Sequence, residues 1–289
     1  MKILILGGDG MLGHQLLKSW SDKHDVWVTL RGDQGCYVCY GLFDKANAFY
    51  GVDVRDFEAV ESVVSNFHPE AIVNAVGIVK QRDEAQDAIL SLEVNALLPH
   101  RLSVLCGQIG ARLIHLSTDC VFSGMAGMYT EDDFEDARDL YGRSKLMGEV
   151  HDAHAVTLRT SIIGLELARN TSLIEWFLAQ SGQIKGYTRA IYSGFTTMEM
   201  ARIIEHVLTS HTDISGLWHV ASAPISKYDL LCKLSVLMGR SDIQLLPEPG
   251  FFCQRSLDAA RFNKKMAYQP PSWDDMLEEL ALDIRERTA

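Results

Sequence analysis

The chain has 289 residues, 47% of them hydrophobic and 22% charged, enough to bury a large core as one α/β unit or as a main domain with a smaller lobe. A formal charge of −11 argues against a nucleic-acid surface, which needs a basic stripe, but leaves room for an anionic small ligand held by a few placed cations and helix ends. No apolar stretch reaches the uninterrupted length of a membrane span, and Met1-Lys2 runs into a strand without signal-peptide features, so a cytoplasmic protein with six reduced thiols is expected.

The first element is an apolar run, Ile3 to Leu6, followed by Gly7-Gly8-Asp9-Gly10-Met11-Leu12-Gly13 and a helix from His14 to Trp20. Glycines at this spacing permit positive φ and close backbone approach, and a helix N-terminus offers amides and partial positive charge. A strand, glycine turn and helix in this order suit a dinucleotide pyrophosphate, with Gly7, Gly10, Met11, Leu12 and Gly13 supplying the cradle. A tight strand-to-helix connection is the plainer alternative.

The second strand, Val26–Leu30, ends in Arg31-Gly32 rather than in a carboxylate. An acidic residue there would accept the ribose hydroxyls of NAD, whereas Arg31 can pair with a 2′-phosphate. NADP is therefore the expected cofactor, with NAD as the alternative. Cys36-x-x-Cys39 has the spacing of half a zinc site, but nothing in the sequence completes four ligands, and no metal is assigned.

Further strands are expected at Tyr50–Val52, Ala71–Ala75, Arg112–Ser117, Val156–Arg159 and Leu217–Val220, and helices at Phe57–Phe67, Ala88–Ile109, Leu140–His151 and Thr197–Leu208. Alternating, near-continuously apolar strands predict a Rossmann-type doubly wound parallel sheet with helices on both faces. After Gly164 the alternation weakens: helix Leu173–Gln180, a turn around Gly182 and Gly186, and a proline-bearing final third. The expected division is a nucleotide-binding domain over 1–163 plus about 187–222, and a small mixed substrate-binding lobe over about 164–186 and 223–289.

Two further motifs could carry chemistry. Tyr141 and Lys145, four apart at the front of a helix, share one face. An ammonium beside a phenol favours its ionised form and makes it a usable acid or base near neutrality. The bland alternative is a half-buried Tyr with a solvated Lys. Ser117-Thr118-Asp119-Cys120 leaves the end of a strand, where hydroxyls of this fold class face the ligand crevice; a Ser/Thr turn would look the same.

In order and spacing these features resemble the extended short-chain dehydrogenase/reductase superfamily, and within it the group of dTDP-4-dehydrorhamnose reductase and related deoxysugar-nucleotide reductases. The likeness extends to Asp53-Val54, Asn74-Ala75-Val76-Gly77, Val94-Asn95, Leu158-Arg159-Thr160, Ser193 to Thr197, and Ser117 to Gly124 followed by Tyr129-x-Glu131, Tyr141 to Lys145 and Gly148-Glu149. It implies that Thr118, Tyr141 and Lys145 catalyse keto reduction, and that Asp53, Val54, Ala75, Val76, Gly77 and Asn95 border the cofactor.

By the same likeness Lys80, with Gln81 beside it, Thr118, Asp119 and Arg255 would meet a nucleotide-sugar substrate, although Arg255 paired with Asp258 on the surface is an equal alternative. Trp176 and Phe177 fit a buried helix face better than a base-stacking site. Glu278 and Glu279 resemble an acidic end that binds magnesium between subunits in some relatives, but also fit a solvated helix face. Cys120 stands where the reductases usually carry Tyr. The second carboxyl that related dehydratases use is absent, so dehydration is not expected. A 4-epimerase and a non-catalytic NADP-binding regulatory subunit are the competing readings, and a homodimer is the oligomer the resemblance suggests.

Overall fold

Twelve strands and ten α-helices alternate along the computed structural model, which describes residues 1–79, 86–168 and 170–288. The principal sheet has seven strands: β1 (Lys2–Leu6), β2 (Asp25–Thr29), β3 (Ala48–Phe49), β4 (Ala71–Asn74), β5 (Arg112–Thr118), β6 (Ala155–Thr160) and β10 (Gly216–His219). Their order is β10-β6-β5-β4-β1-β2-β3, the doubly wound arrangement in which the chain reverses direction between β1 and β4. Pairing is parallel and in register, Ile5 opposite Val28 on one side and Val73 on the other. The strands are apolar without alternation because both sheet faces are covered; Leu4, Ile5, Leu6, Ile72 and Val73 are fully buried.

Contacts group the chain into two compact units. The first comprises 1–117, 139–158 and 201–217. Its helices include α1 (Met11–Trp20), α2 (Phe57–Phe67), α3 (Ala88–Ser91), a π-helical turn at Leu92–Leu97, α4 (Leu98–Ile109) and α5 (Leu140–Met147). Three of the boundaries have a clear local cause. Asp56 caps α2 by accepting from the Ala59 amide, Asp139 caps α5 by accepting from Gly142, and Gly110 ends α4 in the left-handed region at φ 71°. One core cluster joins Leu4, Leu6, Val60, Val64, Phe67, Ile72, Leu102 and Leu113.

The second unit comprises 118–138, 159–200 and 218–289, so 118–138, 159–163, 187–200 and 218–222 group differently from the division read off the sequence. It holds a three-stranded sheet in which β8 (Gly182–Tyr192) pairs in parallel with β12 (Ile243–Gln254) and antiparallel with β11 (Ile225–Ser226). It also holds α6 (Leu173–Leu178), α8 (Lys227–Leu237) and α10 (Trp273–Thr288).

The expected turn around Gly182 and Gly186 is instead the start and interior of β8. Gly186 is required there because a side chain would collide with Tyr228 of α8, 2.8 Å from where its Cβ would lie. The expected strand at Tyr50–Val52 forms two residues earlier, at Ala48–Phe49. The acidic run after Tyr129 is largely committed internally: Glu131 accepts from the His219 amide, Glu135 pairs with buried Arg159, and Asp136 accepts from both the amide and the hydroxyl of Ser123.

One helical stretch, Ala88–Ile109, is long and apolar enough by length and composition to cross a membrane, contrary to the sequence expectation that none is; 56% of its apolar window is buried inside the protein.

Candidate active site

The glycine turn is built for backbone approach. Gly7 adopts φ +85°, and a Cβ on it would lie 2.9 Å from Val76 Cγ2; a Cβ on Gly8 would lie 2.5 Å from Val28 Cβ, and one on Gly13 would overlap the Gly7 carbonyl. The Gly10 amide donates to Gly7 O at 3.0 Å, closing the turn. Gly10 then caps α1 without a capping side chain, and no acidic residue occupies the first turn. The amides of Met11, Leu12 and Gly13 lie in the first turn of α1, where they have no acceptor within the helix. A cradle a side chain would fill, leading into the first turn of a helix, fits a dinucleotide pyrophosphate.

Around this turn the first unit places the other expected cofactor residues. Arg31 is exposed after β2, close enough to act electrostatically on the Tyr37 hydroxyl and on Asp53. The Gly32 amide donates to Tyr37 Oη at 3.0 Å, holding the loop that follows. Asp53 is engaged by Arg55, whose guanidinium donates to both carboxylate oxygens, and this holds the carboxyl below its ordinary range. Val54 and Val76 pack against Ile78 and Val94. The Asn74 carboxamide is buried; its oxygen accepts from the Val76 amide and its nitrogen contacts His115 Nδ1, shaping the Ala75-Val76-Gly77 turn.

Asn95, 1% exposed, sits on the π-helical turn and is occupied by the protein itself. Its oxygen accepts from the Ile78 amide at 2.9 Å, and its nitrogen donates to Ile78 O and to Ser144 Oγ. A π-turn offsets the helix register and often marks a functional site. Here it aims one carboxamide at both the β4 exit loop and helix α5.

Helix α5 carries Tyr141, half-buried in its first turn, and Lys145, 4% exposed. Lys145 Nζ donates to Leu116 O at 2.5 Å. Burial pushes its ammonium down to about 8, with Glu149 pulling the other way. Burial and the neighbouring Lys145 charge also keep His115 neutral, well below its usual range. The expectation of a shared Tyr–Lys face is met by the helix, and the solvated-Lys alternative is not.

In the second unit, Thr118 ends β5 and caps the turn after it, its hydroxyl accepting from the Cys120 amide at 3.1 Å and donating to Asp119 Oδ1 at 3.3 Å. Asp119 is buried, which raises its carboxyl, while Arg255 and Lys227 nearby oppose that shift. Arg255 Nε donates to Phe122 O at 2.8 Å, and its Nη1 lies 3.4 Å from Cys120 Sγ. Burial pushes the Cys120 thiol up to about 12.

Lys80 and Gln81 lie outside the described residues. Phe177 is buried as expected of a core position, whereas Trp176 on the same helix is 39% exposed. Glu278 is exposed, and among the described residues no group of three or more His, Cys, Asp or Glu could hold a metal ion.

Sequence reasoning assigned no role to Ser117 or Glu149, yet Ser117 Oγ donates to Glu149 Oε1 at 2.6 Å inside the first unit. Nor did it single out Lys227, whose charge favours the ionised Asp119 carboxyl, or Tyr192, whose phenol is pushed up by burial and by the Asp119 charge. The sequence signals for Glu149 are its place in the Gly148-Glu149 pair of the resemblance and its position four residues after Lys145.

Comparison with known proteins follows the same lines. The chain is 27% identical over 239 residues to dTDP-4-dehydrorhamnose reductase of Aggregatibacter actinomycetemcomitans, covering 79% of this chain and 76% of that one. It is 33% identical over 150 residues to methionine adenosyltransferase 2 subunit beta of Mus musculus, covering 51% and 41%. Among solved structures, the dTDP-4-dehydrorhamnose reductase of Bacillus anthracis in complex with NADP shares the fold with a TM-score of 0.79 at 22% identity, over 98% of this chain and 99% of that one. The UDP-glucose 4-epimerase of Thermotoga maritima shares it with a TM-score of 0.81 at 16% identity, over the full length of both. The family described as RmlD substrate binding domain matches residues 1–284, and the chain belongs to that family, with the Rossmann-like architecture of extended short-chain dehydrogenases/reductases.

Proposed function

We propose that the protein is an NADPH-dependent reductase of a keto-deoxysugar nucleotide, reducing a hexose keto group at C4 during the making of a surface polysaccharide precursor. The observation that carries this reading is Lys145: an ammonium held on Leu116 O, buried, and one helical turn from Tyr141. A buried ammonium without a function is a cost that folding does not ordinarily retain.

When bound, the nicotinamide supplies the hydride. The amides of Met11, Leu12 and Gly13 would hold the pyrophosphate, Arg31 a 2′-phosphate, and Lys145 the ribose nearest the reacting ring. Lys145 would place its positive charge one helical turn from Tyr141, the residue proposed to deliver a proton to the substrate oxygen. Thr118 would orient the same oxygen by turning its hydroxyl proton from Asp119 Oδ1 to the substrate, so that the charge developing there meets placed donors. Arg255, planar and already fixed by Phe122 O, suits the diphosphate of a nucleotide sugar.

The test is turnover. Purified protein should oxidise NADPH when given a dTDP- or UDP-4-keto-6-deoxyhexose, and Tyr141→Phe should lower kcat by roughly 10²–10⁴-fold, the usual worth of a positioned general acid. A cofactor that copurifies and is not consumed would indicate an epimerase instead. The 33% identity to a methionine adenosyltransferase beta subunit favours, as the second reading, a regulatory subunit. A stoichiometric partner with no turnover of any keto-sugar nucleotide would establish it.

A further inference from the structure

A carboxylate just past a helix C-terminus is in an unfavourable place. It faces the negative end of the helix dipole, and burial adds a desolvation cost. Glu149 occupies such a place. Helix α5 ends at Met147, Gly148 turns tightly against the Asn95 backbone with no room for a side chain, and Glu149 folds back into the interior at 6% exposure.

Its partners explain why it is there. Ser117 Oγ donates to Glu149 Oε1 at 2.6 Å, and the preceding residue on β5, Leu116, offers its carbonyl to Lys145 Nζ at 2.5 Å. Two adjacent β5 residues thus grip an ammonium and a carboxylate four positions apart, and the charges attract. The other groups near the ammonium do not replace this carboxylate. His115 on β5 is neutral; Tyr141 lies one turn earlier; the Leu92–Leu97 turn brings the neutral Asn95 carboxamide, bonded to Ser144.

We propose that Glu149, anchored by Ser117, is the positioning residue that keeps the Lys145 ammonium charged and fixed on β5. The inference rests on the reading of Lys145 as part of the reductase site, and it adds a residue to which no role in the reaction had been assigned. Glu149 touches no reacting atom in this scheme; it acts through Lys145. Removing its charge leaves the buried ammonium on the Leu116 carbonyl without that attraction, and the proton is then lost at lower pH.

The experiment titrates Lys145 directly in the full-length protein labelled with 13C at the lysine ε-carbons, its resonance assigned with Lys145→Arg. In the wild type it should titrate at about 8. In Glu149→Gln, which preserves shape and a Ser117 contact, it should move down by about one pH unit or more, and Glu149→Asp should fall between. The alkaline limb of kcat should move by the same interval, with KM for the keto-sugar nucleotide unchanged.

A folded Glu149→Gln protein whose Lys145 titrates as in the wild type overturns the proposal, even if its melting temperature has dropped. Should that variant fail to fold, Ser117→Ala releases the anchor while keeping both charges; an unmoved Lys145 titration there overturns the proposal equally. If the wild type turns over no keto-sugar nucleotide, the reductase reading falls while the titration still decides the role of Glu149 toward Lys145.

Discussion

At Gly13 a single methyl group decides whether the entrance turn exists. Its Cβ would overlap the Gly7 carbonyl, which is backbone and cannot rotate aside. Gly13→Ala should therefore cost about 2 kcal/mol or more in stability, as forced overpacking does, and abolish dinucleotide binding in a fluorescence titration. Arg31 acts through charge instead. Replacing it with Ser should raise the Kd for NADPH about tenfold and leave that for NADH nearly unchanged, the loss of one charge-assisted contact to a phosphate. An equal change for both dinucleotides would remove Arg31 from the 2′-phosphate. Lys145 makes a pH prediction with a definite sign. Its ammonium is depressed to about 8, so the charged form prevails below that pH and is lost above it. The kcat for keto-sugar reduction should hold on the acid side and fall as pH rises through about 8, measured at saturating NADPH.

Among the elements, the π-helical turn at Leu92–Leu97 matters most because it converts a helix position into a clamp. Asn95 serves Ile78 N, Ile78 O and Ser144 Oγ at once. Asn95→Ala strands the buried Ile78 backbone groups and should cost about 2–3 kcal/mol in urea unfolding; a loss under about 0.5 kcal/mol would show that the clamp is dispensable. This element also marks where the sequence stopped being legible. Parallel strands such as β1 and β4 announce themselves as unbroken apolar runs, and helix α2 by its Asp56 cap and 3.6-residue spacing. Strand β12 does not: it contains Pro247, Pro249 and Gly250, a register shift between Glu248 and Phe252, and no buried residue. Strand β8 hides behind Gly182, which adopts φ +69°, and Gly186, whose purpose depends on Tyr228 over forty residues away. The site divides the same way. Tyr141 and Lys145 are visible as a local pair on one helix, whereas the Ser117–Glu149 bond and the Asn95 clamp join residues 32 and 17 positions apart, which no local pattern encodes.

For the whole molecule, connectivity is the governing fact. The chain passes from one compact unit to the other at 117–118, 138–139, 158–159, 200–201 and 217–218. Neither unit is a continuous stretch of sequence, so a fragment ending at residue 217 keeps every residue of the first and strips the second of 218–289. Calorimetry of the intact protein should show one transition with equal van't Hoff and calorimetric enthalpies, and the 1–217 fragment should bind a dye for exposed apolar surface. Two resolved transitions, or a fragment that melts cooperatively, would contradict this coupling. The interleaving also bears on descent. A lineage cannot trade the half holding Thr118 and Arg255 for another by one recombination event, because no single pair of breakpoints excises it. New sugar preferences must then accumulate as individual replacements within an inherited framework, each tolerated by the fold before the next arrives.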